Sequence, residues 1–207
     1  MKFKFTKFQI FVHLSALVPL AVLIWDYSHN NLTFNPIQEA TLRTGKTALT
    51  LLLLSLAATP ANSIFGFRQA IKVRRPLGVY SFMYALIHFL IFVLVDYNFS
   101  WPLIKEAIFE KRYALIGFSA FLILLPLALT STKGWQKRMG KKWKSLHKWV
   151  YVAGLLVIVH FVWLVKSDYR EPLVYGAIII MLLVLRLPTV KKYFRDRGTN
   201  KLFRGKA

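Results

Sequence analysis

The chain predicts an all-α integral membrane protein, a bundle of six transmembrane helices with both termini on the cytoplasmic side. Three observations carry that prediction. First, its 207 residues are 56% hydrophobic with a mean hydropathy of +0.46, more apolar surface than a soluble domain of this size can hide. Second, six apolar stretches alternate with short polar loops. Third, charge is sorted between alternate loops. Lys2, Lys4 and Lys7, residues 68–75, residues 133–148 and the tail from Arg186 hold 22 of the 29 Lys and Arg with a single acid, Asp196. The opposite loops hold the other seven acids and seven bases, so the whole net charge of +21 lies at one end. Excess Lys and Arg marks the cytoplasmic side. The same concentration accounts for the charge through topology and attraction to anionic headgroups rather than through nucleic acid.

The first span, about Phe8 to Asp26, follows a basic head. Its apolar run exceeds that of a signal peptide and no small-x-small site follows, so it is expected to be retained. The others run from about Lys46 to Asn62, Pro76 to Val95, Tyr113 to Thr130, His147 to Val165 and Pro172 to Leu187. Several are near the minimum length for spanning, which implies little tilt. Pro76 and Pro172 are placed at helix starts, where a missing N–H costs nothing. Pro19 and Pro126 fall inside spans, where kinks are tolerated once neighbours satisfy the freed carbonyls. Residues 1–190 form the membrane domain, with residues 191–207 a basic cytoplasmic tail. No internal repeat stands out.

The absence of cysteine excludes disulfides, iron–sulfur clusters, thiolate-ligated haem and covalently attached c-type haem. No Gly-rich loop follows a strand, so any electrons from a pyridine nucleotide arrive through another protein. The outer loops carry no catalytic constellation.

The histidines are the informative residues, because an imidazole at membrane depth is costly and usually functional. His88 lies thirteen residues after Arg75, and His160 thirteen after His147, on helices that run in the same direction. The two therefore reach similar depth in the outer half. Facing imidazoles there suit the two axial positions of an intramembrane b-type haem; the plainer alternative is a pair of hydrogen-bonded core histidines. His147 stands about 20 Å below His160 at 1.5 Å per residue, near the inner interface. It is either a solvated side chain or a second or alternative haem ligand, with His13 on the first helix as its possible opposite. Thirteen residues leave His147 and His160 about 140° apart on an ideal helix, so either a distortion near Gly154 realigns them or they serve different neighbours. His29, in an outer loop, is solvated. Most of the many aromatics, which include Trp25, Trp101, Trp143, Trp149 and Trp163, fit interfacial belts or lipid-facing packing, with a few left over that could line a porphyrin.

Several motifs are similar to a known family: RTGKTAL at Arg43–Leu49, RRPLG at Arg74–Gly78, the LIH ending in His88, ALTST at Ala128–Thr132, and RMGKKWKSLHKWVY with His160 beyond it. Together they resemble, in order over nearly the whole chain, the MsrQ (YedZ) family. These are haem-binding membrane subunits of protein-methionine-sulfoxide reductase systems, related to the ferric reductase and NADPH oxidase transmembrane domains. The resemblance implies an inner-membrane b-type cytochrome with haem b, one or two per chain, and FMN. It implies electron transfer from the quinone pool or a cytosolic flavin reductase to an MsrP-like periplasmic molybdopterin subunit. That partner would reduce methionine sulfoxide in oxidised envelope proteins. The family's haem histidines map onto His88, His147 and His160. The oxidase relatives carry two histidines on each of two helices; Arg75 and Arg74 stand where the fourth is expected, so one ligand is missing. No stretch marks an FMN site, and Arg74, Arg75 and the loop from Lys137 to Lys144 are the places to seek its phosphate, by charge. The rival readings are a haem subunit of another transmembrane reductase, ferric-reductase-like, and a non-haem proton-coupled transporter.

Overall fold

The computed structural model describes residues 5–165, 167–187 and 190, so the tail at 191–207 lies outside the described residues. The elements are α1 (Lys7–Ser28), α2 (Pro36–Phe65), α3 (Arg68–Leu90, continued by a π-helical turn, Ile91–Asp96), α4 (Trp101–Glu110) and α5 (Arg112–Leu129). Next come α6 (Lys133–Met139), α7 (Lys141–Leu146), a 3₁₀ turn (His147–Trp149), α8 (Val150–Leu164) and α9 (Arg170–Val184). No strand occurs among the described residues.

Among the described residues, five helical segments are long and apolar enough to cross a membrane: Lys7–Ser28, Pro36–Phe65, Arg68–Asp96, Arg112–Leu129 and Lys141–Leu164. The chain is a multi-pass membrane protein. The sixth expected span corresponds to α9, whose 15 residues reach about 22 Å against a hydrocarbon core of about 30 Å. Two spans are much longer than the sequence indicated, at 30 and 29 residues. The expected short lengths of the second and third spans are corrected accordingly.

Local chemistry accounts for the boundaries. Thr6 caps α1 in a reciprocal box: its hydroxyl accepts from Gln9 N–H, and Gln9 Oε1 accepts from Thr6 N–H. Asn35 caps α2, Pro36 occupies its first turn, and Gly66 ends it at φ 68° in the left-handed region. Pro76 is not a helix start, because α3 begins eight residues earlier and carries it internally. Pro172 does lie in the first turn of α9. At Pro19 the protein repairs the ladder directly: the Tyr84 hydroxyl accepts from Leu20 N–H (3.0 Å) and donates to the Ala16 carbonyl (2.8 Å). It thus stands between a donor and acceptor that would otherwise form an α-helical rung. Tyr84 is only 1% exposed, so this inserted hydroxyl also pins α1 to α3.

Helix α2 is central. Half of its most apolar window is buried, against 11–17% for the other four spans, whose remaining apolar faces are left to lipid. It contributes Leu49, Leu52, Leu53 and Leu56 to a core shared with α5, α8 and α9, and Ala48 and Leu51 to a second core shared with α1 and α3. Two hairpin-like pairings, α2 with α3 and α5 with α8, are the most extensive in the molecule. Ser81 and Ser55 tie the first pair by donating to the carbonyls of Ala48 and Arg74, both at 2.8 Å. The acids of the described residues lie at one end of the bundle. There Arg43 pairs with Asp26 and Glu39, and Lys46 with Glu171, joining α1, α2 and α9.

The candidate haem pocket

His88 on α3 and His160 on α8 lie near the acid-bearing end, and their rings face each other with centroids 6.2 Å apart and planes at 87°. Each imidazole is held in the same way. His88 Nδ1 lies 2.9 Å from the Thr41 carbonyl, and His160 Nδ1 lies 2.7 Å from the Tyr113 carbonyl. A carbonyl only accepts, so in both rings Nδ1 carries a proton, which in a neutral imidazole leaves the lone pair on Nε2. One helical turn after each of those carbonyls stands a glycine. A Cβ built on Gly45 would lie 3.1 Å from His88 Nδ1, and one on Gly117 would lie 2.6 Å from His160 Nδ1. The N-terminal parts of α2 and α5 therefore supply a carbonyl that orients an imidazole and, one turn on, a bare backbone against which it lies.

The two halves match in register. His88–Phe89 and His160–Phe161 close equivalent helices, and Gly45 and Ala48 correspond to Gly117 and Ala120. In both halves the carbonyl precedes its histidine by 47 residues. This repeat of the site escaped the sequence reading because the helices between share little beyond apolar character. Between α3 and α5 the rings of Phe82, Phe121, Phe89 and Phe118 stack in a continuous ladder beside the histidines.

His147 is placed differently. It opens the 3₁₀ turn before α8, so the distortion lies at His147–Trp149 and not near Gly154, which instead packs against Ile179. Its Nε2 lies 3.1 Å from the Thr130 hydroxyl, and its ring stacks on Trp143 at 4.0 Å. Trp143 in turn donates its Nε1–H to the Thr130 carbonyl. His13 meets Tyr80 instead, with Nδ1 2.9 Å from the phenol oxygen. No ring contact between His13 and His147 occurs among the described residues. His29 is exposed at the end of α1, stacked on Trp25. No cluster of three or more His, Cys, Asp or Glu that could hold a metal ion occurs among the described residues. A ligand set of two imidazoles is the one a porphyrin iron needs, since the macrocycle supplies the other donors.

Residues 44–159 match the family model described as ferric reductase like transmembrane component. A protein of Xanthomonas axonopodis pv. citri named protein-methionine-sulfoxide reductase heme-binding subunit MsrQ is 42% identical over 182 residues, covering 85% of this chain and 84% of that protein. A protein of the same name from Rhodospirillum rubrum is 38% identical over 186 residues, covering 89% of each. No solved structure matches. With its family-model match centred on the two hairpins that bring His88 and His160 together, and with relatives aligned along most of its length, the chain belongs to the MsrQ family of ferric-reductase-like transmembrane proteins.

Proposed function

We propose that His88 and His160 are the axial ligands of one b-type haem, and that the chain is the electron-transfer subunit of a methionine-sulfoxide reductase system. One observation carries the reading: two imidazoles, each with Nδ1 committed to a carbonyl, lie with ring centroids 6.2 Å apart. Imidazoles on opposite sides of one iron, with metal–nitrogen bonds of about 2 Å, have ring centres roughly 6 Å apart. The residues present fit the group. Bound there, a haem b supplies a one-electron centre with no open coordination position. The chain's own part is to fix the tautomer and orientation of both ligands, through Thr41 and Tyr113, and to surround them with apolar helix faces. His147, with Nε2 hydrogen-bonded to Thr130 and Arg74 and Arg75 within electrostatic reach, serves the packing of the basic end in this reading.

The orientation follows from charge. The basic end is cytoplasmic, with six crossings in which α9 forms the last, and the pocket then lies toward the periplasmic face of the inner membrane. Electrons enter from a quinone or a cytosolic flavin reductase. They leave to an MsrP-like molybdopterin subunit docked on the short outer loops, where the sulfoxide is reduced. FMN is the second cofactor that the family likeness supports.

Purified protein is expected to show a Soret band that shifts on dithionite reduction; a colourless preparation from haem-replete cells would overturn the proposal. Deletion of the chain is expected to abolish methionine-sulfoxide repair in the envelope, which separates this system from a ferric reductase. For the topology, alkaline phosphatase fused at Val190 is expected to be inactive and green fluorescent protein fused there fluorescent. The opposite pair of results would reverse the assigned sides.

A further inference from the structure

At the basic end, opposite the histidine pocket, the bundle contains two guanidiniums without a counter-charge among the described residues. Arg186, just beyond the end of α9, reaches across to α2 and α8. It donates to the Leu56 carbonyl (2.5 Å) and to the Tyr151 hydroxyl, with its guanidinium carbon 5.1 Å from the centre of the Tyr151 ring. Its Nε–H is buried and without a partner among the described residues. The Thr59 hydroxyl, one turn beyond Leu56 on α2, is likewise buried and unpartnered. Arg74, whose own carbonyl accepts from Ser55 on the same stretch of α2, lies within electrostatic reach of both Arg186 and Tyr151. Its side chain makes no hydrogen bond or ion pair among the described residues.

Such a constellation is unfavourable as it stands. Like charges repel, and each buried donor left unmatched costs about 1–3 kcal/mol. No acid relieves it among the described residues: Asp26, Glu39, Asp96, Glu106, Glu110, Asp168 and Glu171 all lie at the other end of the helices. The ion pairs of the described residues are at that other end too. An oxyanion between the two arginines would reverse the sign of the local interaction. It would also accept from Nε–H and from the threonine. Phosphate matches best, because a guanidinium presents paired N–H groups to two of its oxygens, and because the basic end faces a surface of phosphate headgroups in a bilayer.

We propose that Arg74 and Arg186, with the Thr59 hydroxyl, form a phosphate-binding site at the basic end of the bundle. The site takes either the headgroup phosphate of an anionic lipid or a soluble phosphate. It is independent of the haem reading, since it shares no residue with the histidine pocket and lies at the opposite end.

The test uses the full chain, delipidated in a non-ionic detergent, with thermal unfolding followed in the presence of inorganic phosphate or of phosphatidylglycerol added to the micelle. Native mass spectrometry of the undelipidated protein counts retained phospholipid. Stabilisation by phosphate alone assigns a soluble source, and stabilisation by the lipid with retained phospholipid assigns the headgroup. In either case Arg74→Gln and Arg186→Gln are expected to weaken binding roughly ten- to a hundredfold, as loss of a charge-assisted hydrogen bond does. Arg74→Gln is the decisive variant, because the Arg74 side chain makes no hydrogen bond or ion pair of the fold among the described residues. Wild-type protein that neither probe stabilises and that retains no phospholipid would overturn the proposal. So would an Arg74→Gln variant that binds as well as wild type.

Discussion

His88→Ala and His160→Ala are each expected to abolish bound haem while the protein still inserts in the membrane. Removing either imidazole deletes one of only two protein donors, and no other histidine is positioned to replace it: His147 is held by Thr130 and Trp143, and His13 by Tyr80. Insertion should survive because neither ring fills the core. The buried clusters run along α2 and its neighbours through Leu49, Leu52, Leu53 and Leu56, and through Ala48, Leu51 and Tyr84. Truncation does leave the Thr41 or Tyr113 carbonyl without its donor. An under-satisfied carbonyl of this kind costs about 1–3 kcal/mol, which is tolerable in a large bundle. The measurement is haem per chain from the reduced absorption spectrum, set against protein recovered from membranes. His147→Ala is the control and is expected to keep the full low-spin spectrum. Two histidine variants with normal low-spin spectra would remove the ligand assignment altogether; haem loss in His147→Ala would point to a second site.

The membrane class of the protein was legible from composition, because helices that face lipid must carry long apolar surfaces. The shared level of His88 and His160 was legible as well. Counting from the basic ends of two helices that run the same way is enough to compare depths. What stayed hidden is how the rings are held. The second span reads as beginning at Lys46, since Glu39, Arg43 and Lys46 look like loop residues. Their charges are matched by Asp26 and Glu171 and by one another, which lets α2 start at Pro36 and carry Thr41 and Gly45 up to His88. Helix α4, with Pro102 in its first turn, likewise reads as loop from the sequence. The 3₁₀ turn at His147–Trp149 has no glycine or proline to announce it. His147 there meets the Thr130 hydroxyl, a partner seventeen residues away that local pattern does not contain, as well as the neighbouring Trp143 ring.

Gly117→Ala is expected to convert the site from low-spin to high-spin and to lower haem affinity by about ten- to a hundredfold, the range typical when the support of a metal-bound histidine is lost. The added Cβ would stand 2.6 Å from His160 Nδ1, 2.8 Å from Cε1 and 3.2 Å from Cγ, a clash along one whole edge of the ring. Rotating the imidazole away breaks its 2.7 Å bond to the Tyr113 carbonyl, so tautomer and direction are lost together. Backing α5 away from α8 instead disturbs the closely packed pair that holds Leu124, Ala153 and Phe161 in one core. Overpacking of this kind costs about 1–3 kcal/mol. Gly45→Ala is the graded comparison. Its Cβ would stand 3.1 Å from His88 Nδ1 and 3.2 Å from Cε1, contacts that a shift of a few tenths of an ångström relieves, so a smaller loss is expected. Electron paramagnetic resonance separates the outcomes, since a five-coordinate ferric haem gives a high-spin signal absent from the bis-imidazole form. Added free imidazole should restore the low-spin signal in Gly117→Ala if the fault is confined to the displaced ligand; a general folding defect would not respond. A Gly117→Ala protein with wild-type haem content and spin state would show that the close approach of α5 to His160 has no part in ligand positioning, whatever the ligands themselves prove to be.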